Sequence, residues 1–220
     1  VDIPMEKYFY DIYKYYEDIE TQIEKRKKQK RGGLSGTELY RSYTRQACNF
    51  VFPHISQTIT GENRPRPNKF RLSEKEALMI DVHGEDAVKL RAEKYGDKFM
   101  NVTNYVKALN EHMTAFKKWL ADFNKEDIKN GHTIQDDIKT YLGMGGKFKK
   151  FWMSKDIKKS SLLKGMYQCS PKFVQCIFTI HKSNGPTVVY TNYVKMEGIE
   201  IFKIYLGFFN FDSWKEGDPP

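Results

Sequence analysis

The sequence predicts an α/β fold that is predominantly helical, and three observations lead there. Apolar residues recur at helical spacing through most of the 220-residue chain, most regularly at Val102, Val106, Leu109, Met113, Phe116, Leu120 and Phe123. One run, Thr187-Val188-Val189-Tyr190-Thr191, is apolar on successive residues, the pattern of a strand buried on both faces in a parallel sheet. Helical stretches flank it, and helix, buried strand, helix is the building pattern of nucleotide-handling α/β domains.

Taken in order, residues 1–5 alternate like a short strand that Pro4 pushes to an edge or an end. A helix follows, with Ile12, Tyr16, Ile19 and Ile23 in one stripe and a Glu24–Lys28 pair on the other side. It runs into Lys25-Arg26-Lys27-Lys28-Gln29-Lys30-Arg31 and ends at Gly32-Gly33; the basic run either grips phosphates or is a solvated helix end. Residues 37–53 hold a second helical stretch and then the apolar Asn49-Phe50-Val51-Phe52-Pro53, and Arg64-Pro65-Arg66-Pro67 is extended or loop. Ser73 and Glu76 form a capping box that opens a helix interrupted by Gly84. The 102–123 positions form a heptad seam, either a coiled-coil surface or, as its shortness favours, the inner face of a helix packed on its own domain. Residues 131–146 are punctuated by glycines, and a basic stretch follows over 147–164. Ser170-Pro171 is an N-cap with proline at the first helical position, and Phe173, Ile177 and Ile180 define that helix's buried side. Ser183-Asn184-Gly185-Pro186 turns the chain into the strand, and Ile199, Phe202 and Leu206 mark a last helix.

Composition limits the function. The chain is 40% hydrophobic and 15% aromatic, which argues against wholesale disorder and allows one domain or two small ones. No stretch approaches the roughly 20 apolar residues of a membrane-spanning helix, so no membrane partner is expected. The N-terminus lacks a charged start before an apolar stretch, so the protein is not expected to be secreted. Cys48, Cys169 and Cys176 cannot all pair, and their apolar surroundings read as reduced, buried thiols of a reducing compartment. A net charge of +9 suits a polyanion partner.

Catalytic motifs do not emerge. Gly143-Met144-Gly145-Gly146-Lys147 fails as a phosphate loop, because Phe148 stands where magnesium binding needs Ser or Thr. The histidines at 54, 83, 112, 132 and 181 are scattered, and zinc binding is unsupported. Nucleic-acid contact is better supported, as in Lys147-Phe148-Lys149-Lys150-Phe151-Trp152, where cations track a backbone and aromatics stack on bases. The alternative is aromatics inward and lysines outward.

At Arg45-Gln46-Ala47-Cys48-Asn49-Phe50-Val51-Phe52-Pro53 the chain resembles the second motor lobe of superfamily-two helicases of nucleocytoplasmic large DNA viruses. These are related to the poxvirus early-transcription ATPase and nucleoside triphosphate phosphohydrolase I. Residues 5–17 look like the family's Met-x-x-x-Gln-x-x-x-Tyr opening, although Phe9 stands where Gln is usual. Ser170-Pro171-Lys172-Phe173 matches a further segment, and 185–194 with Glu197-Gly198-Ile199 matches the motif IV strand and its following helix.

The resemblance implies a partial RecA-like lobe: residues 1–67 its start, 68–160 a large helical insertion, and 161–220 the motif IV region, short of motifs V and VI. It implies an ATP-dependent nucleic-acid helicase as the parent, with ATP and Mg2+ bound there and none by this chain alone, which lacks the phosphate loop, acidic box and arginine finger. Its implied partners are DNA or RNA, the first RecA-like lobe and the viral transcription machinery, in the host-cytoplasmic viral factory or the virion. Carried over by position, Thr191 and Asn192 follow the motif IV strand as nucleic-acid contacts, Lys172 joins them, and Arg45 reaches phosphate or nucleotide. The competing reading is a stand-alone basic binding or scaffold protein assembled through the 102–123 seam.

Overall fold

The computed structural model describes residues 3, 5–30, 42–73, 76–77, 80, 97–154, 160–194 and 196–213. In chain order its helices are α1 (Lys7–Lys30), α2 (Ser42–Ala47), a 3-10 turn (Pro67–Phe70), α3 (Asp97–Lys129), α4 (Ile134–Gly143), α5 (Phe148–Trp152), α6 (Ser161–Cys169), α7 (Pro171–Lys182) and α8 (Ile199–Phe208).

The heptad seam is the inner face of α3. Val102, Val106, Leu109, Phe116 and Leu120 are buried, and Met113 and Phe123 pack half-buried beside them. The seam is therefore occupied within the fold, where α3 lies along α6, and it is not left open for assembly. Phe116 is its centre, with ring centroids 5.1 Å from Phe50, 5.8 Å from Phe52 and 6.1 Å from Tyr205. One apolar cluster thus draws on residues before 68, between 68 and 160, and after 160. Each fully buried ring removes enough apolar surface to contribute about 1.5–3 kcal/mol.

Polar residues close the helix ends. Ser170 Oγ accepts the Phe173 N–H at 3.1 Å at the start of α7, with Pro171 in the first turn, as its sequence indicates. Ser73 and Glu76 form the expected reciprocal box, Ser73 N–H to Glu76 Oε2 at 2.7 Å and Glu76 N–H to Ser73 Oγ at 3.2 Å. At α6 the donors of Ser161 and Leu162 are both taken by the buried Asp127 carboxylate of α3, each at 2.8 Å. Asp137 of α4 is buried too, with Oδ1 3.0 Å from His132 Nε2. Burial raises its carboxyl from the ordinary 3.8 to about 6, against the lowering effects of Ser160 and His132.

Three expectations are corrected and one open alternative is decided. The run 187–191 is no strand: it carries no pairing, and Val188 and Tyr190 are 93% and 84% exposed. A strand needs a neighbour for its N–H and C=O groups, and no strand exists among the described residues to supply one. The RecA-like sheet is accordingly not seen, and what is described is helical. In α1 Ile23 is exposed while Glu20 is buried, because the Glu20 carboxylate accepts the N–H groups of Tyr43 and Thr44 that open α2. Phe148 and Phe151 point inward and Lys149 and Lys150 outward, so these aromatics are core and not a stacking platform. Ile3 and Met5 are not in a strand; of the positions cited above, 1, 2, 4, 31–33, 37–41, 83, 84 and 155–159 lie outside the described residues.

Candidate nucleic-acid interface

Segment 49–53 crosses the corner where α6 turns into α7. Its Val51 N–H donates to Cys169 O at 2.8 Å, and Ser170 Oγ donates to Asn49 O at 2.5 Å. The Tyr8 hydroxyl holds the far end through Phe52 O at 2.7 Å. This corner is the base of a groove of about 300 Å³ between α7, α8 and the chain joining them. Phe173 and Phe202, with centroids 5.1 Å apart, floor it, and Lys172, Thr191 and Asn192 line it.

Three of the four residues carried over by resemblance therefore meet in one groove, although Lys172 stands on α7 and the other two lie in the loop before α8. Arg45 is exposed on α2 and does not line it. Lys172 is in the first turn of α7, which has no acidic residue, so its cation faces the positive end of the helix dipole. That placement opposes the usual preference and is worth about 0.3–1 kcal/mol against the fold. Lys172 and the start of α7 thus bring like charge to the groove lining. Burial pushes the Cys176 thiol up in the same groove. It does the same to Cys48, against the lowering effect of nearby Lys172. Neither is thereby tuned as a nucleophile.

The loop wall has its own order. Thr191 Oγ1 accepts the Tyr193 N–H at 3.2 Å, and the Tyr190 hydroxyl donates to Asn192 Oδ1 at 2.7 Å. The first donors of α8 are satisfied by the loop backbone, Ile199 N–H to Tyr193 O at 3.1 Å and Glu200 N–H to Val194 O at 2.9 Å. Gly198 is required for this closure, since a Cβ there would stand 2.0 Å from Tyr193 O.

Behind the wall lies a buried polar group whose members the sequence reading left without a role. Arg64 Nη1 meets Glu197 Oε1 at 2.6 Å and donates to Gln46 Oε1 at 3.0 Å. Arg66 Nη1 donates to the same Gln46 oxygen at 3.2 Å, with its guanidinium 3.9 Å from the Tyr43 ring centroid and 4.9 Å from that of Tyr16. Burial pushes the Glu197 carboxyl up and the Arg64 guanidinium down, and each charge opposes the other's shift. Arg64-Pro65-Arg66-Pro67 had the local look of a loop, and only the pair of arginines between prolines hinted at more.

The chain is 40% identical over 218 residues to a protein of Acanthamoeba polyphaga mimivirus provisionally named an ATP-dependent RNA helicase. The alignment takes in 97% of this chain and 26% of that relative, so the chain spans about a quarter of its length. No family model matches the chain, and no solved structure does. Among the described residues no group of His, Cys, Asp and Glu is placed to hold a metal ion, and no helix is long and apolar enough to cross a membrane.

Proposed function

We propose that the chain is part of an ATP-dependent helicase or translocase of a large DNA virus and supplies a surface on which nucleic acid is held. The reading rests above all on one observation: Lys172, Thr191 and Asn192 line one groove. It is supported by the relationship of nearly the whole chain to a named helicase. In this reading Lys172 neutralises a phosphate, Thr191 and Asn192 hydrogen-bond the sugar–phosphate backbone, and the aromatic floor excludes water from the contact. ATP and Mg2+ belong to polypeptide with a phosphate loop, the first RecA-like lobe that is this segment's partner. RNA is the first substrate to try, because the mimivirus relative is named for it. A place in the viral transcription machinery follows from the resemblance.

The test is fluorescence anisotropy with single-stranded RNA and DNA oligonucleotides over a series of salt concentrations. Wild-type chain is expected to bind with affinity that falls as salt rises. Lys172→Ala weakens binding several-fold and lowers the slope of log K against log salt by about 0.7, one single-strand phosphate contact. Arg45→Ala, away from the groove, changes less. Absence of binding, or a slope unaltered by Lys172→Ala, overturns the reading.

A further inference from the structure

Glu197 is an unexpected residue for its backbone. Its φ is +56°, the left-handed region that glycine and asparagine occupy more readily, and it precedes a glycine whose own position admits no side chain. The carboxylate is what a glycine there would not provide. It is buried and paired with Arg64, whose segment joins α2 to the 3-10 turn, far away along the chain. A buried pair of this kind offsets its own desolvation poorly, so its better-attested use is to fix one arrangement among several.

The loop it belongs to needs fixing. Residues 186–190 are exposed, residues 191–194 have no regular structure, and among the described residues of this loop only Met196, Glu197 and Gly198 are buried before α8 begins. Arg64 holds this loop to Gln46 of α2, and Gln46 also receives Arg66, which lies against Tyr43 and Tyr16. Arg64 Nε, Arg66 Nη2 and Glu197 Oε2 find no hydrogen-bond partner among the described residues, so the group is held by few bonds in one geometry. We propose that Arg64 and Glu197 are positioning residues: a buried clasp that ties the groove wall, Thr191 to Tyr193, to the α1–α2 layer and sets it opposite Lys172. The inference rests on the reading of the groove as a nucleic-acid surface.

Two readouts on the whole 220-residue chain test it: anisotropy with a labelled single-stranded RNA oligonucleotide, and amide hydrogen exchange across 191–200. Glu197→Gln keeps the shape and removes the charge. It is expected to speed exchange at Ile199 and Glu200 by about tenfold or more, leave Phe116 and Leu120 protected, and weaken binding by about tenfold with an unchanged salt slope. Lys172→Ala gives the opposite pattern, a reduced slope with normal exchange. Loosened exchange with unaltered affinity, or no change in either, overturns the clasp as a positioning device. Should Glu197→Gln fail to fold, Arg64→Lys decides by the same two readouts. If the wild-type chain does not bind at all, the groove reading fails and positioning for nucleic acid fails with it, while the exchange rates still decide whether the pair holds the loop.

Discussion

Phe116 and Arg64 are buried to nearly the same degree, 0% and 6% exposed, yet they hold the molecule together in different ways. The ring of Phe116 is surrounded by Phe50, Phe52, Trp119 and Tyr205 and gains from each of them without directional demand. The guanidinium of Arg64 depends on one carboxylate and one amide oxygen, and is worse than nothing without them. The aromatic region supplies stability, and the polar region supplies a defined arrangement at some cost in stability. The groove is built where the two meet, floored by rings and walled by the loop that the ion pair retains.

The comparison can be broken at its strongest point first. Phe116→Ala is expected to cost about 3–5 kcal/mol in urea unfolding, and no second truncation should restore it. Arg64→Ala should cost a similar amount, about 3–5 kcal/mol, because it strands the Glu197 charge. The double replacement Arg64→Met with Glu197→Met, however, should recover most of that loss; a double variant as unstable as the single would show that the pair is a net stabiliser and erase the contrast.

A second buried polar group sharpens it through pH. The Asp137 carboxyl titrates at about 6 in the folded chain against 3.8 ordinarily, so the folded state holds its proton more tightly than the unfolded one. Its contribution is fully present below about pH 4 and is lost as pH rises through 6, on the order of 3 kcal/mol in all. Stability curves at pH 4 and pH 7 should therefore diverge by that order between wild type and Asp137→Asn. Parallel curves would mean that His132 and Ser160 compensate the burial completely.

The smallest effect has the most telling sign. Lys172→Ala should raise stability by about 0.3–1 kcal/mol, since it removes a cation from the positive end of α7, while it weakens oligonucleotide binding. A residue that served the fold alone would not give opposite signs in the two measurements.

Much of the helical framework was legible because its signals are local. The 102–123 spacing, the Ser170-Pro171 cap and the Ser73–Glu76 box each lie within a few turns of chain, and each is formed. The Thr133–Asp136 box at the start of α4 carries the same local signal. The run 187–191 has a strand's composition and no strand, because composition reports that a segment suits a sheet, not that a sheet is there to receive it. In the groove, Lys172, Thr191 and Asn192 were reached through resemblance. Gln46 and Glu197 stood within quoted motifs without a role, because a buried ion pair exists only once distant segments meet. No periodicity encodes it.

The segment 45–53 both fills space and holds the polar group, since Gln46 accepts from Arg64 and Arg66. Ala47, Phe50, Val51 and Phe52 are buried, and Asn49 serves the corner through its backbone oxygen. A substitution in this stretch therefore disturbs the core or the polar group beside it, and a loss of binding that follows from one does not by itself mark a residue that touches nucleic acid.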